Sequence, residues 1–264
     1  METEDLINLA DDPNLISGIY NYCDRWCERC PFSSRCLVYL TEKEDEDSDP
    51  ATRDITNAVF WNKLASLLQQ TQEMITAWAE ETGVDLSPEA LAEASAKNQA
   101  EEKDARDHPL FKAAENYAND VQEWFENVSI EPDVISDTAS DLEEEAISDQ
   151  LDAAEVIRWY QFFIAAKIAR GLMSRVREKE YENVFEEDTS WRDSDGSIKV
   201  ALIAIDRSIS AWKLMIDVRA EDADSICELI LQLEKLRISA EREFPDARDF
   251  VRPGFDEAGL DLVN

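Results

Sequence analysis

Apolar side chains return every three or four positions in long runs along this chain and almost never alternate, which is the period of helices and not of strands. The segment NAVFWNKLASLLQQTQEMITAWAEETG carries Phe60, Leu64, Leu67, Leu68, Ile75 and Trp78 at helical spacing and stops near Gly83. Ser87 and Pro88 then form an N-cap and first helical position, opening an Ala- and charge-rich helix through about residue 106 that has little to bury. Pro109 restarts the chain, and Leu110, Phe111, Ala114, Tyr117, Val121, Trp124 and Phe125 predict a buried stripe. The stretch LDAAEVIRWYQFFIAAKIARGLMSRVREK is apolar on nearly every side through its middle, the pattern of a helix surrounded by others.

After the polar segment DTSWRDSDGS, a helix runs through IKVALIAIDRSISAWKLMIDV, with Lys199, Asp206, Ser210, Lys213 and Asp217 on one face and Val200, Ile203, Trp212 and Ile216 left for the core. A last amphipathic helix over roughly 221–243 ends before Pro245. No repeat and no βαβ alternation interrupts this pattern. The expected fold is all-α, an irregular bundle of five to seven helices. Residues 1–40 form a separate N-terminal element, 41–54 an acidic linker, 55–245 the bundle and 246–264 a loosely packed tail.

Composition agrees with the helices and narrows the partners. Only six glycines and eight prolines punctuate 264 residues, too few turn residues for many strands. A hydrophobic share of 44% is ample for a core, so the chain is not a disordered one. The formal charge of −34 repels phosphate backbones and anionic membrane surfaces, which disfavours nucleic acid as a partner. A solubility or high-salt adaptation accounts for this acidity more simply than mimicry of DNA, and 16 arginines against 10 lysines suit a salt-adapted surface. No apolar run approaches the ~18 residues of a membrane span, and METEDLINLADDPN has neither the basic nor the apolar region of a secretory signal. A cytoplasmic setting and an unidentified protein partner are the expectations.

Chemistry concentrates in residues 22–39, YCDRWCERCPFSSRCLVY, which hold four of the five cysteines. Cys23, Cys27, Cys30 and Cys36 are spaced C-x3-C-x2-C-x5-C. In a reducing compartment such clusters serve metals more often than disulfides. Positions 23, 27 and 30 share one face of a helix, where cysteine could act as a small apolar residue. Cys36, however, lies beyond Pro31, and only one other cysteine occurs elsewhere, whereas core usage would scatter them. We therefore expect all four to be cofactor- or metal-ligating, holding a [4Fe–4S] cluster or, alternatively, Zn2+. On an unbroken helix, seven residues rise roughly 10 Å, too far for three thiolates to meet one zinc ion with bonds of about 2.3 Å; a cubane cluster tolerates wider spacing. That reasoning lapses if the helix is broken.

Cys27-Glu-Arg-Cys30-Pro31-Phe-Ser-Ser-Arg-Cys36, C-x2-C-P-x4-C, resembles the end of the iron–sulfur cluster loop of helix-hairpin-helix DNA glycosylases, and also the cluster-binding end of some iron–sulfur nucleases. The resemblance covers about fourteen residues and implies a four-iron cluster on Cys27, Cys30, Cys36 and, less directly, Cys23, whose gap is x3 where the glycosylase loop has x6. The catalytic context of those enzymes is absent, so their activity does not transfer. The first three cysteines also look like the radical S-adenosylmethionine signature, but no strands exist to build the β/α barrel that family requires.

Around the thiols, Arg25, Arg29 and Arg35 could offset thiolate charge or pair with Asp24 and Glu28, and Tyr20, Tyr22, Trp26 and Phe32 could shield the site from water. Elsewhere the signals are structural. His108, the only histidine, introduces a helix and cannot furnish a di-iron site. Asp193-Ser-Asp195-Gly196 mimics part of a calcium loop, but Trp191 and Leu202 occupy ligand positions, leaving a cap and turn. The acid-rich stretch 131–150 is a solvated loop leading into a helix. Cys227 is expected in the core. Trp159, Tyr160, Phe162 and Phe163 with Glu155, Arg158, Lys167 and Arg170 could line a pocket, although core packing with exposed flanking charges explains them better. No catalytic residue and no reaction follow from the sequence.

Overall fold

The structure is a computed structural model that describes residues 9, 12–46, 49–128, 141–181 and 193–256. It is all-helical over those residues. Seven α-helices follow one another: α1 (Leu37–Glu46), α2 (Ala58–Thr82), α3 (Pro88–Asp107), α4 (Pro109–Asn127), α5 (Asp141–Tyr181), α6 (Asp193–Val218) and α7 (Ala223–Glu243). Short 3-10 turns join or precede several of them. The chain forms two compact units, Ala100–Val251 and Met1–Gln99 with Arg252–Asn264.

The first of these units is built on four helices packed in a ring, α4 on α5, α5 on α6, α6 on α7 and α7 on α4. Each contributes a stripe at three- and four-residue spacing. Leu110, Ala114, Tyr117, Val121 and Trp124 line α4, Ile157, Tyr160, Ile164, Ile168 and Leu172 line α5, and Leu229, Leu233, Leu236 and Ala240 line α7, all buried. The longest interface joins α5 to α6 and requires Gly171, because a Cβ there would lie 2.7 Å from Cδ1 and Cγ1 of Ile198 and 3.2 Å from the Ser194 carbonyl. At the centre, Trp212 Nε1 donates to the Tyr117 hydroxyl at 3.0 Å while its ring meets Trp124 edge-on, 4.9 Å between centroids. Burial pushes the Tyr117 phenol well above its ordinary range.

Most helix ends fall where their capping residues placed them. Asn57 accepts from the Val59 N–H at the start of α2, and Gly83 closes that helix at φ +74°. Ser87 Oγ accepts from the Ala90 N–H. His108 Nδ1 accepts from the Leu110 N–H at 3.2 Å, which places its hydrogen on Nε2, 3.1 Å from Glu243 Oε1. The only histidine is thus an N-cap clamped to α7.

Three expectations change. The helix read as surrounded on every side, α5, turns Trp159 and Phe162 outward, 38% and 54% exposed, and α6 is the most enclosed helix. An apolar count without phase cannot distinguish these two cases. The supposed cap and turn at Asp193–Gly196 is the first turn of α6: Asp193 accepts from Arg170 and from Ser174, and Glu178 accepts from the Ser194 N–H and hydroxyl. Cys227 is exposed and not in the core. The acid-rich residues 131–140 and the polar residues 182–192 lie outside the described residues.

The acidic segment 41–54 is occupied by the end of α1 and the turn Pro50–Thr52, capped by Asp49. Residues 246–256 make specific contacts: Ala247 is fully buried, and Arg252-Pro-Gly-Phe255 forms a β-turn in which the Phe255 N–H donates to the Arg252 carbonyl at 3.2 Å. Proline second and glycine third, the latter at φ +75°, fit a type II turn. The Arg252 guanidinium clamps it by a bidentate bond to Asp256.

Candidate metal centre

The cysteine segment contains no α-helix before Leu37. Instead three 3-10 turns, Ile19–Asn21, Cys27–Arg29 and Ser33–Arg35, set its course. The last two are alike: each is closed by a cysteine N–H, Cys30 to the Cys27 carbonyl and Cys36 to the Ser33 carbonyl, both at 3.2 Å, and each cysteine then leaves in extended backbone. Pro31 enforces the first exit, since a residue before proline is driven out of the helical region. Between Cys23 and Cys27, Arg25 sits at φ +60°, a left-handed conformation that costs a non-glycine residue about 1 kcal/mol or more. These breaks turn the thiols off a common helix.

All four cysteines, Cys23, Cys27, Cys30 and Cys36, line one pocket that opens to solvent. Each is half-buried and unpaired by disulfides. Their mutual influence is electrostatic as well. Burial, then the Glu42 carboxylate, then the thiols of Cys23, Cys36 and Cys30 push Cys27 up to about 11. Burial likewise raises Cys30, opposed by a hydrogen bond from the Phe32 backbone and reinforced by Cys23, Asp24 and Cys36. Cys23 Sγ approaches the Tyr20 carbonyl at 3.6 Å. Among the described residues no three His, Cys, Asp or Glu side chains converge tightly enough to grip a single ion.

Of the expected aromatic screen, Tyr20 and Trp26 line the pocket, joined by two residues the sequence did not nominate, Tyr39 from α1 and Phe255 from the chain's far end. Phe32 supports Phe255 edge-on at 5.2 Å. Tyr22 is not part of the lining. Arg25 reaches the lining and lies 3.9 Å from Glu42. Arg29 stacks over Trp26 at 4.0 Å, and Arg35 Nε donates to the Asn14 carbonyl at 2.9 Å. That last bond pairs with another from the Ile16 N–H to the Arg35 carbonyl at 3.0 Å, tying the start of the element to its end. Phe255 could not have been found by spacing, because 219 residues separate it from Cys36. Its only local signal is the Pro-Gly turn that aims it.

The element's own apolar core is small. Between residues 12 and 36 only Ile19 and Trp26 are buried, at 2% and 6% exposure. An all-thiol donor set of this kind suits Zn2+ or an iron–sulfur cluster and disfavours hard cations such as Mg2+ or Ca2+. The helix-rise argument against zinc does not apply to this backbone, because the helix it assumed does not form.

The second cluster considered, on α5, does not build a site. Glu155, Arg158 and Arg170 are exposed, Arg158 lies over the Phe125 ring, Lys167 over Phe163, and Tyr160 is a core residue. No protein-family model, curated protein or solved structure matches the chain.

Proposed function

We propose that the N-terminal element binds a [4Fe–4S] cluster through Cys23, Cys27, Cys30 and Cys36, in a structural, electron-transfer or sensing role with no catalytic reaction assigned. The observation that supports this reading is the shared pocket, which Cys23, Cys27, Cys30 and Cys36 all line. A cubane needs such a space, since each corner iron takes a separate thiolate. The local likeness of Cys27 to Cys36 to a glycosylase cluster loop points the same way. When bound, the cluster would supply a one-electron couple. The chain's part is to hold four thiolates, to limit water with Tyr20, Trp26, Tyr39 and Phe255, and to set the local charge through Arg25.

The alternative is a zinc-stapled protein–protein interaction module, supported by the broken backbone, which lets thiolates approach one another as a tetrahedral site requires. Absorption spectroscopy on protein purified without oxygen separates the two. A brown sample with a broad band near 400 nm, bleached by dithionite, supports the cluster. A colourless sample holding one zinc ion per chain supports the staple and refutes the cluster.

A further inference from the structure

Helix α2 carries an apolar stripe that the unit it belongs to leaves bare. Trp61, Leu67, Leu68, Met74, Ile75 and Trp78 are 46% to 62% exposed. Among the described residues the helix packs chiefly against the turn Pro50–Thr52 at its start, and Ala79 is its one buried residue. Positions 60, 64, 67, 71, 74 and 78 advance in alternating steps of four and three, the seam of a left-handed coiled coil, occupied by Phe, Leu, Leu, Thr, Met and Trp. Trp61, Leu68 and Ile75 widen this seam along one edge.

We propose that α2 pairs with α2 of a second copy, in antiparallel orientation, so that the protein is a dimer. This is independent of the metal reading. Three observations select a second copy as the occupant. First, the seam is self-complementary about a two-fold axis near residue 69: Phe60 falls opposite Trp78, Leu64 opposite Met74, and Leu67 opposite Thr71. On the flanking edge Trp61 meets Ile75, and Leu68 meets its own copy. Such a surface makes an isologous contact and closes at two copies.

Second, charge permits it. The chain carries −34 overall and 33% charged residues, so copies repel one another, yet α2 holds only Lys63, Glu73, Glu80 and Glu81 in 25 residues. The antiparallel arrangement carries each Lys63 toward the other copy's acidic half, whereas a parallel one would set the carboxylates side by side. An anionic membrane surface would need several basic residues on the polar face, and Lys63 is the only one. A basic partner would find only Glu73, Glu80 and Glu81 on the helix, all in its C-terminal half. Third, the exposed side chains offer on the order of 700 Å2 per copy, close to the ~800 Å2 per partner of a standard stable interface.

Sedimentation equilibrium on the full chain over about 5–100 µM, in about 1 M salt to screen the net charge, tests this. The wild type is expected at twice the 30.1 kDa chain mass. Leu68→Glu with Ile75→Glu is expected to halve that mass with unchanged helical circular dichroism, which both residues' exposure allows. Thr71→Leu, which fills the one polar layer of the seam, is expected to tighten the dimer at least tenfold and does not depend on the disruptive variant folding. Leu231→Glu with Ile238→Glu, equally exposed on α7, is expected to leave the mass unchanged. A wild-type monomer throughout the range overturns the proposal, as does a dimer that Leu68→Glu with Ile75→Glu leaves intact or that Thr71→Leu does not tighten.

Discussion

Gly254 connects the far end of the chain to the cysteine element, and replacing it by alanine tests that connection quantitatively. Two costs add in Gly254→Ala. The residue sits at φ +75°, where a Cβ costs about 1–2 kcal/mol. The added carbon would also lie 2.9 Å from Cδ1 and 3.1 Å from Cγ2 of Ile16, and 3.1 Å from Cδ1 of Ile19. The Cδ1 tips can swing aside, but Cγ2 is fixed to the stiff branched carbon of Ile16, so the crowding adds about 1–2 kcal/mol. The sum, about 2–4 kcal/mol, corresponds to roughly 30- to 700-fold in an opening equilibrium.

Hydrogen exchange at the Ile16 amide, bonded to the Arg35 carbonyl, and at the Cys36 amide, bonded to Ser33, reads that opening directly. Both are expected to exchange faster by that factor. Gly83→Ala is the control: it has the same left-handed φ but nothing within 4 Å of the new carbon, so it carries only the conformational cost and acts at the end of α2. Unchanged exchange at Ile16 in Gly254→Ala would show that residues 252–256 do not brace the element, and would remove Phe255 from the pocket wall.

Further outcomes follow from other residues. Alanine at Cys23, Cys27, Cys30 or Cys36 is expected to abolish stoichiometric metal, measured by elemental analysis, whereas Cys227→Ala, on an exposed thiol of α7, keeps it; retention of full metal by Cys30→Ala would contradict the ligand assignment. Gly171→Ala forces Ile198 and α6 away from α5 and is expected to cost about 1–3 kcal/mol, lowering the thermal midpoint of the helical bundle by roughly 2–12 °C in a calorimetric scan. Trp212→Phe keeps a ring but removes the indole donor to the buried Tyr117 hydroxyl, at a cost of about 1–3 kcal/mol by chemical denaturation, while Tyr117→Phe with Trp212→Phe recovers part of it.

Helices were legible where sequence signals act locally. Gly83, Ser87 and the His108-Pro109 pair fixed their ends because capping is settled within four residues, and the stripes of α4 and α6 gave their buried faces. What period alone could not supply was the identity of the neighbour. The stripe of α2 has the same spacing as that of α4, yet Tyr117 is fully buried and Trp78 is 54% exposed. Likewise α5 is apolar enough to be central, but the two-residue choice between Tyr160 inward and Phe162 outward depends on α4 and α6.

At the thiols, residue type and clustering pointed to one site, and Pro31 marked the break that a helical reading of positions 23, 27 and 30 overlooked. Phe255 and the Gly254 turn were invisible because their contact with Ile16 and Phe32 is long-range. Arg25 shows the same limit: its left-handed φ has no sequence signature, since arginine has no preference for that region.

The central claim is that four half-buried sulfurs sharing one pocket hold an inorganic centre. Elemental analysis of iron, sulfide and zinc in the full chain purified without oxygen tests it most directly. About four irons and four sulfides per chain are predicted, as a [4Fe–4S] cluster requires. One zinc per chain would keep the ligands but replace the cluster, and protein that is fully folded with neither metal would contradict the claim.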